Sequence, residues 1–206
     1  RGFSGYTSRL ILPIVREMTH HQCGAKNSST TTDVNSSNAS STTANNLVVL
    51  CIGANDAALS ESPQHVPLDE YESNVRACVK EFKNWENFQI ILVPPPPVIQ
   101  SRWDQRCQNF GQKSGFRTLE TTKQYAQAVE KISEEESVHF VNLWKHETLW
   151  TSESEDLLSD GLHLTPKGND LFFKLLKECI ETQIPHMKNT RLPLVPPHWK
   201  VMLGVE

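Results

Sequence analysis

Short apolar runs alternate with amphipathic segments along most of the chain. A continuous apolar run at residues 47–52 ends at Gly53, as expected of a strand that is buried on both faces. A second run at residues 89–93 ends at four consecutive prolines, and a third covers residues 138–143. Their length and apolar character predict three strands of one sheet.

Segments with helical spacing of apolar residues flank these strands. The first covers about residues 7–21, with Pro13 near its start, where proline is tolerated or produces a kink. Others follow at residues 119–132 and after Thr165 and Pro166, an N-cap and an N1 proline. The predicted apolar faces are Leu10, Ile11, Ile14, Val15 and Met18; Tyr71, Val75, Cys78, Val79 and Phe82; Tyr125, Ala128, Val129 and Ile132; and Leu171, Phe172, Leu175, Leu176, Cys179 and Ile180. Alternating strands and helices predict a parallel sheet covered by helices on both sides.

The chain of 206 residues is long enough for a single domain, residues 1–206, and too short to expect two. One tract, residues 27–46, contains 16 Ser, Thr or Asn among its 20 residues. Such a tract buries too little apolar surface to offset its ordering entropy, so we interpret it as a disordered insertion.

The net charge of −4 argues against nucleic acid as a partner, because phosphate binding needs clustered positive charge. No apolar run approaches the roughly 20 residues of a membrane span. The five cysteines form no C-x-x-C pair, which indicates reduced thiols in a cytoplasmic protein.

A polar turn, Gly53-Ala54-Asn55-Asp56, follows the most apolar strand. Sites in open parallel sheets lie at the carboxyl ends of strands, where the Asn55 amide could donate a hydrogen bond to a developing oxyanion. Gly and Asn are also common in ordinary strand-to-helix turns, and the motif by itself favours that second interpretation.

A second polar motif, Asp160-Gly161-Leu162-His163, precedes the last helix. His163 could act as a general base whose other nitrogen is held by Asp160. A polar loop without chemistry is an equally good interpretation, and a metal site lacks a nearby third ligand.

The chain opens with Gly2-Phe3-Ser4-Gly5-Tyr6, which falls short of the G-x-S-x-G nucleophile elbow because its last position is Tyr. Ser4 is therefore not a convincing nucleophile. The backbone N–H of Gly5 is the better candidate for chemistry, since a residue without a side chain lets substrate approach the amide closely.

In this order and spacing, the three motifs resemble blocks II, III and V of the SGNH (GDSL-type) esterase superfamily. Together with the Pro94–Pro97 run, they extend the resemblance to the isoamyl acetate-hydrolysing esterases. It implies a three-layer α/β/α sandwich with a parallel flavodoxin-like sheet. It also implies that Gly5 and Asn55 form the oxyanion hole, and that His163, oriented by Asp160, activates a nucleophile.

The chain departs from this family in one respect, because it contains no Gly-Asp-Ser, the block that carries the family's serine nucleophile. The nucleophile is thus unknown, and the sheet is expected to lack its first strands. The run at residues 47–52 would then be an exposed apolar edge, prone to aggregation.

The leading hypothesis is a serine esterase that hydrolyses short-chain acyl esters such as acetates through an acyl-enzyme, without metal or cofactor, and that is inactive as this fragment. Its partner would be a small-molecule ester. An alternative is a noncatalytic, esterase-like binding or regulatory protein. A weaker one is a carbohydrate acetyl esterase, if Trp103, Trp144 and Trp150 stack on sugar, although Trp is more often a packing residue. His20, His21 and Cys23 allow a metal site, but a surface cluster at a helix end is favoured.

Overall fold

The computed structural model of the protein describes residues 3–26, 46–85, 88–112, 114–152 and 156–187, with the side chains of residues 20–26 excluded. The predicted insertion at residues 27–46 lies outside this part of the chain, except that Asn46 already belongs to the first strand.

The described residues form strands and helices in an alternating order. Their bounds are α1 Ser8–Lys26, β1 Asn46–Cys51, α2 Leu68–Lys83, β2 Phe88–Val93, α3 Gln100–Asn109, α4 Leu119–Glu135, β3 His139–Phe140, α5 Glu147–Trp150 and α6 Pro166–Gln183. Two short 3-10 turns, Leu143–His146 and Pro185–Met187, precede α5 and follow α6.

The three strands form one parallel sheet in the order β1-β2-β3. Val48 pairs with Ile90 in the β1–β2 ladder, and Ile91 pairs with His139 in the β2–β3 ladder. This confirms the predicted parallel sheet, and the order agrees with strands three to five of a flavodoxin-like sheet.

Side chains alternate across β2, so that the sheet separates two hydrophobic cores. Ile90 and Leu92 pack against the core formed with α1, α2 and α4. Ile91 and Val93 pack on the opposite side, in the core that contains Trp150 and the apolar face of α6. The architecture is therefore three layers, helix–sheet–helix.

Strand β1 differs from its prediction as a strand buried on both faces. Its residues are exposed or half-buried, and Val49 is 38% exposed. The reason is its position, since β1 pairs with β2 on one side and is the edge strand of the sheet that the structure describes. The expectation of an exposed apolar edge agrees with this arrangement.

Strand β3 is two residues long, whereas the sequence predicts a strand over residues 138–143. The ladder continues only as far as Val141, whose N–H donates to the Leu92 carbonyl. The Asn142 side chain then accepts from the Lys145 N–H at 2.9 Å and starts a 3-10 turn, which ends the strand.

Helix α1 is confirmed and contains Pro13, but it ends later than predicted and buries the predicted face only in part, with Val15 buried and Ile11 and Ile14 half-buried. Leu10 and Met18 are exposed, and the predicted face is wrong at both positions. The buried stripe includes the polar residues Ser8 and Thr19, which an apolar pattern does not reveal.

The buried face of α2 consists of the five predicted residues, and α6 begins at the predicted cap, where Thr165 Oγ1 accepts from the Gly168 N–H. Helix α3 has no counterpart in the sequence prediction. It buries a single apolar side chain, Cys107, so it carries no apolar stripe to indicate a helix.

Candidate active site

The loop before α6 holds Asp160 and His163 in direct contact. The loop is closed by the Leu158–Leu164 bridge and by a hydrogen bond from the Ser159 N–H to the His163 carbonyl. One carboxylate oxygen of Asp160, Oδ1, accepts from the N–H groups of Leu162 and His163 at 3.1 and 2.9 Å. The other, Oδ2, lies 2.9 Å from His163 Nδ1.

This contact fixes the orientation of the His163 imidazole. An ionised carboxylate only accepts hydrogen bonds, so Nδ1 carries the proton and the neutral ring presents the lone pair of Nε2. The side chain of Asp160 is 11% exposed, whereas that of His163 is 62% exposed. His163 is therefore accessible to a reacting group while its partner is sheltered.

The environment of Asp160 favours its charged form. Burial raises the pKa of this carboxyl group, but the hydrogen bonds from the His163 backbone, the His163 ring and the Leu162 backbone outweigh burial. The net result is a pKa below the usual value of an aspartate. Arg106 also contacts Oδ2, with its Nε at 3.0 Å.

Helix α3 packs against the loop that carries Asp160 and His163. Gly161 has a φ of +88°, and a Cβ there would lie 2.3 Å from the Ile99 carbonyl oxygen at the start of α3. The Ile99 N–H donates to the Gly161 carbonyl, and the Trp103 ring packs edge-on against His163 at 5.6 Å. The close approach of loop and helix therefore requires glycine at position 161.

Asn55 lies in the turn after β1 and contacts the chain's N-terminal turn. Its Nδ2 donates to the Tyr6 carbonyl at 2.8 Å, and its Oδ1 accepts from Arg117 Nη2 at 3.3 Å. Gly5, with a φ of +78°, is the residue before Tyr6, and its carbonyl accepts from Gln64 Nε2 at 3.1 Å. The structure thus brings the Gly5 turn and Asn55 together, with Ser4 exposed in the same turn.

Arg117 is a buried cation at this place that sequence reasoning did not identify. It is 4% exposed, and its side chain bonds to Ala54, Asn55, Gln64, Gly115 and Phe116. Three of these acceptors are backbone carbonyls, so no motif marks the position.

The carbonyl of Gly115 connects the two halves of the site. It accepts from Arg117 Nη1 at 3.4 Å and from Trp103 Nε1 at 2.9 Å. Arg117 contacts Asn55, and Trp103 contacts His163. Both also line a cavity of about 440 Å³, together with Gln64, Arg106, Phe110 and Phe116. The two predicted motifs are therefore linked through Arg117 and Trp103, which line one cavity.

The three tryptophans considered for sugar stacking have different surroundings. Trp150 is fully buried in the core, and its Nε1 donates to the Leu143 carbonyl. Trp144 is half-buried, with its Nε1 donating to Pro95. Trp103 is the one of the three that contacts His163 and lines the cavity of about 440 Å³.

Metal ligation finds no support among the residues described. No group of three or more His, Cys, Asp or Glu side chains there could hold a metal ion. The side chains of His20, His21 and Cys23 lie outside the described residues. In the same part of the chain, no helix has the length and apolar character needed to cross a membrane.

Comparison with known proteins gives consistent matches. The model of the GDSL-like Lipase/Acylhydrolase family matches residues 1–171. The chain is 33% identical to the isoamyl acetate-hydrolyzing esterase 1 homolog of Bos taurus, over 97% of this chain and 73% of that protein. It is 34% identical to the isoamyl acetate-hydrolyzing esterase of Saccharomyces cerevisiae, over 94% of this chain and 74% of that protein.

Solved structures share the fold at lower identity. A catalytic mutant of Axe2, an acetylxylan esterase from Geobacillus stearothermophilus, superimposes with a TM-score of 0.56 and 24% identity, over 87% of this chain and 70% of that one. An enzyme from the metagenome of Lake Arreo gives a TM-score of 0.57 and 17% identity, over 88% and 71%.

Proposed function

Because the chain belongs to the GDSL-like lipase/acylhydrolase family, we propose that it is a carboxylic ester hydrolase that uses a serine nucleophile and an acyl-enzyme. The observation that carries the proposal is the His163–Asp160 contact of 2.9 Å, which Trp103, Gly115 and Arg117 connect to Asn55. Acyl transfer needs both a base and an oxyanion hole.

The proposed roles follow from the hydrogen-bonding capacity of each group. His163 Nε2 takes the serine hydroxyl proton as the serine oxygen attacks the acyl carbon. The second Nδ2 proton of Asn55 and the N–H of Gly5 stabilise the resulting oxyanion. The tetrahedral intermediate then expels the alcohol, which receives the proton from His163. Water, deprotonated by the same imidazole, hydrolyses the acyl-enzyme.

Short-chain acyl esters such as acetates are the proposed substrates. Support comes from the curated relatives in Bos taurus and Saccharomyces cerevisiae, which are named for the hydrolysis of isoamyl acetate. A cavity of about 440 Å³ with aromatic rings on Trp103, Phe110 and Phe116 has the size and lining for a small apolar ester.

The nucleophile is not assigned to any residue of this chain. The 206 residues contain no Gly-Asp-Ser, the sequence that holds the serine in the family that the chain resembles. We therefore expect a polypeptide of residues 1–206 alone to bind esters without turning them over. Turnover is expected of protein purified from its natural source if that protein carries the block.

The Asn55→Ala variant, produced in and purified from the natural source of the protein, tests the proposal. Loss of one oxyanion donor is expected to lower kcat for a short-chain acetate ester about 100-fold to 1,000-fold, with KM within about threefold. Asn84→Ala, at the exposed end of α2, is the matched control and should leave both constants unchanged. Equal kcat values for the two variants would exclude Asn55 from the oxyanion hole.

A further inference from the structure

We propose that Arg117 is a positioning residue that orients the side-chain amides of Asn55 and Gln64, and through them the oxyanion hole; this rests on the proposed function. The side chain begins at the loop before α4 and reaches across the site to the turn that follows β1. It contacts the turn that carries Asn55 directly and is connected to the Gly5 turn through Gln64.

The donor capacity of Arg117 is fully used by the protein itself. A guanidinium has five N–H bonds. Nε donates to the Ala54 carbonyl at 2.9 Å, and Nη1 reaches the carbonyls of Gly115 and Phe116 at 3.4 and 3.5 Å. Nη2 donates to Asn55 Oδ1 at 3.3 Å and to Gln64 Oε1 at 2.9 Å. Because no N–H is left over, Arg117 organises the site and is not itself a substrate ligand.

The contact with Asn55 determines which end of its amide faces the substrate. An asparagine amide has an acceptor end and a donor end of nearly the same shape, and its neighbours decide between the two orientations. Arg117 can only donate, so it fixes Oδ1 toward itself. One Nδ2 proton then goes to the Tyr6 carbonyl, and the other is left for an oxyanion.

The same logic extends through Gln64 to the second proposed donor. Gln64 Oε1 accepts from Arg117, which leaves its Nε2 to donate to the Gly5 carbonyl at 3.1 Å. This bond holds the peptide group that follows Gly5, in a turn where Gly5 has a φ of +78°. One cation thereby sets the orientation of two amides and restrains the Gly5 turn.

The charge on Arg117 also strengthens the Asn55 donor. Among the residues described, no ion pair joins Arg117 to a carboxylate, and the Asp56 carboxyl acts on it only at longer range. A cation that donates to an amide oxygen polarises the amide and makes its N–H groups better donors. Burial of such a charge costs stability, so its position beside the proposed oxyanion hole agrees with a functional role.

The test compares the Arg117→Lys and Arg76→Lys variants, both produced in and purified from the natural source of the protein. Lysine keeps the charge but lacks the planar guanidinium that donates hydrogen bonds to two side-chain amides at once. Arg76 lies on α2, where it pairs with Glu135, and serves as the control. In Arg117→Lys we expect kcat to fall about 10-fold to 100-fold with KM within about threefold, part of the loss caused by deleting an oxyanion donor.

A spectroscopic readout separates positioning from general destabilisation. The Asn55 side-chain NH₂ pair in a ¹H–¹⁵N spectrum, assigned by its loss in Asn55→Asp, should shift in Arg117→Lys and stay in place in Arg76→Lys. A folded Arg117→Lys protein with an unshifted Asn55 pair overturns the inference, whatever its kcat. A shifted pair in a protein that hydrolyses no ester would show that Arg117 positions Asn55, but it would reject the proposed function and with it the oxyanion hole.

Gln64→Leu provides the second variant, because loss of Arg117 could prevent folding. It keeps the cation and removes the link to the Gly5 turn, together with one acceptor of Arg117 Nη2. We expect the backbone N–H signals of Gly5 and Tyr6 to shift and kcat to fall at unchanged KM. Unshifted Gly5 and Tyr6 signals would overturn the proposed role of Gln64 and, with it, the control of the Gly5 turn by Arg117.

Discussion

At the scale of single residues, the candidate site is built from contacts whose partners lie at very different distances along the chain. The pairing of Asp160 with His163 was predictable, since residues three apart in a tight loop can meet. The approach of Gly5 to Asn55 spans about fifty positions and came from the family resemblance. Arg117 could not be found, because most of its acceptors are backbone carbonyls that any residue provides.

Asp160→Asn is expected to lower kcat strongly while the loop keeps its shape. The asparagine oxygen can still accept from the N–H groups of Leu162 and His163. Its NH₂ group would face His163 Nδ1 and favour the wrong imidazole tautomer, a change that costs up to about 10⁴-fold in triad enzymes. Steady-state kinetics with a circular dichroism spectrum provide the check. An unchanged rate in a folded variant would reject the dyad.

At the scale of helices and strands, the sequence predicts the buried face of a helix where its apolar residues form a regular stripe, and does not where they are few or mixed with polar residues. The faces of α2 and α6 follow from their stripes, whereas α3 has one buried apolar residue and α1 places Ser8 and Thr19 in its buried stripe. In such helices, polar contacts determine which face is buried. The N–H of Ser8, the first residue of α1, donates to Asp56 Oδ1 at 2.8 Å and joins α1 to the turn after β1.

Asp56 makes this connection at an electrostatic cost that depends on pH. Its carboxyl group is fully buried, and Oδ2 has no hydrogen-bond partner among the described residues. Burial raises the pKa of Asp56, although the hydrogen bonds with Ser8 oppose that effect. A carboxyl group whose pKa is raised by folding stabilises the fold at low pH, and this contribution is lost as pH rises through the raised pKa.

Asp56→Asn removes this titration and keeps an oxygen for the Ser8 N–H. We expect the free energy of unfolding of the variant, relative to that of the unsubstituted protein, to increase as the pH rises from about 4 to about 7. Urea unfolding at several pH values measures that difference. A difference that is constant over the range would show that Asp56 has the same pKa in the folded and unfolded states.

At the scale of the whole molecule, two helical layers enclose a sheet. The candidate site lies among loops that connect these strands and helices. Asn55 follows β1, and the loop that carries Arg117 precedes α4. The three-layer architecture was predictable from the alternation of strands and helices. The exposure of β1 was not predictable from its own residues, because its position at the edge of the described sheet depends on which strands lie beside it.

Removal of residues 27–45 is expected to leave kcat and KM unchanged. The contacts described for Gly5, Asn55, Asp160 and His163 are made with residues outside this tract. Kinetic constants of the deletion variant, compared with those of the unsubstituted protein, test the interpretation of the tract as a passive insertion. A large loss of kcat would assign it a part in the site.

The most direct measurement is the intact mass of the natively purified protein after reaction with a serine-reactive fluorophosphonate. We predict a single adduct on a serine in a Gly-Asp-Ser sequence, which the 23.3 kDa chain of residues 1–206 does not contain. His163→Ala should abolish the adduct, because the serine loses its base. A folded protein without any adduct would contradict the proposed serine esterase and favour a noncatalytic, esterase-like binding protein.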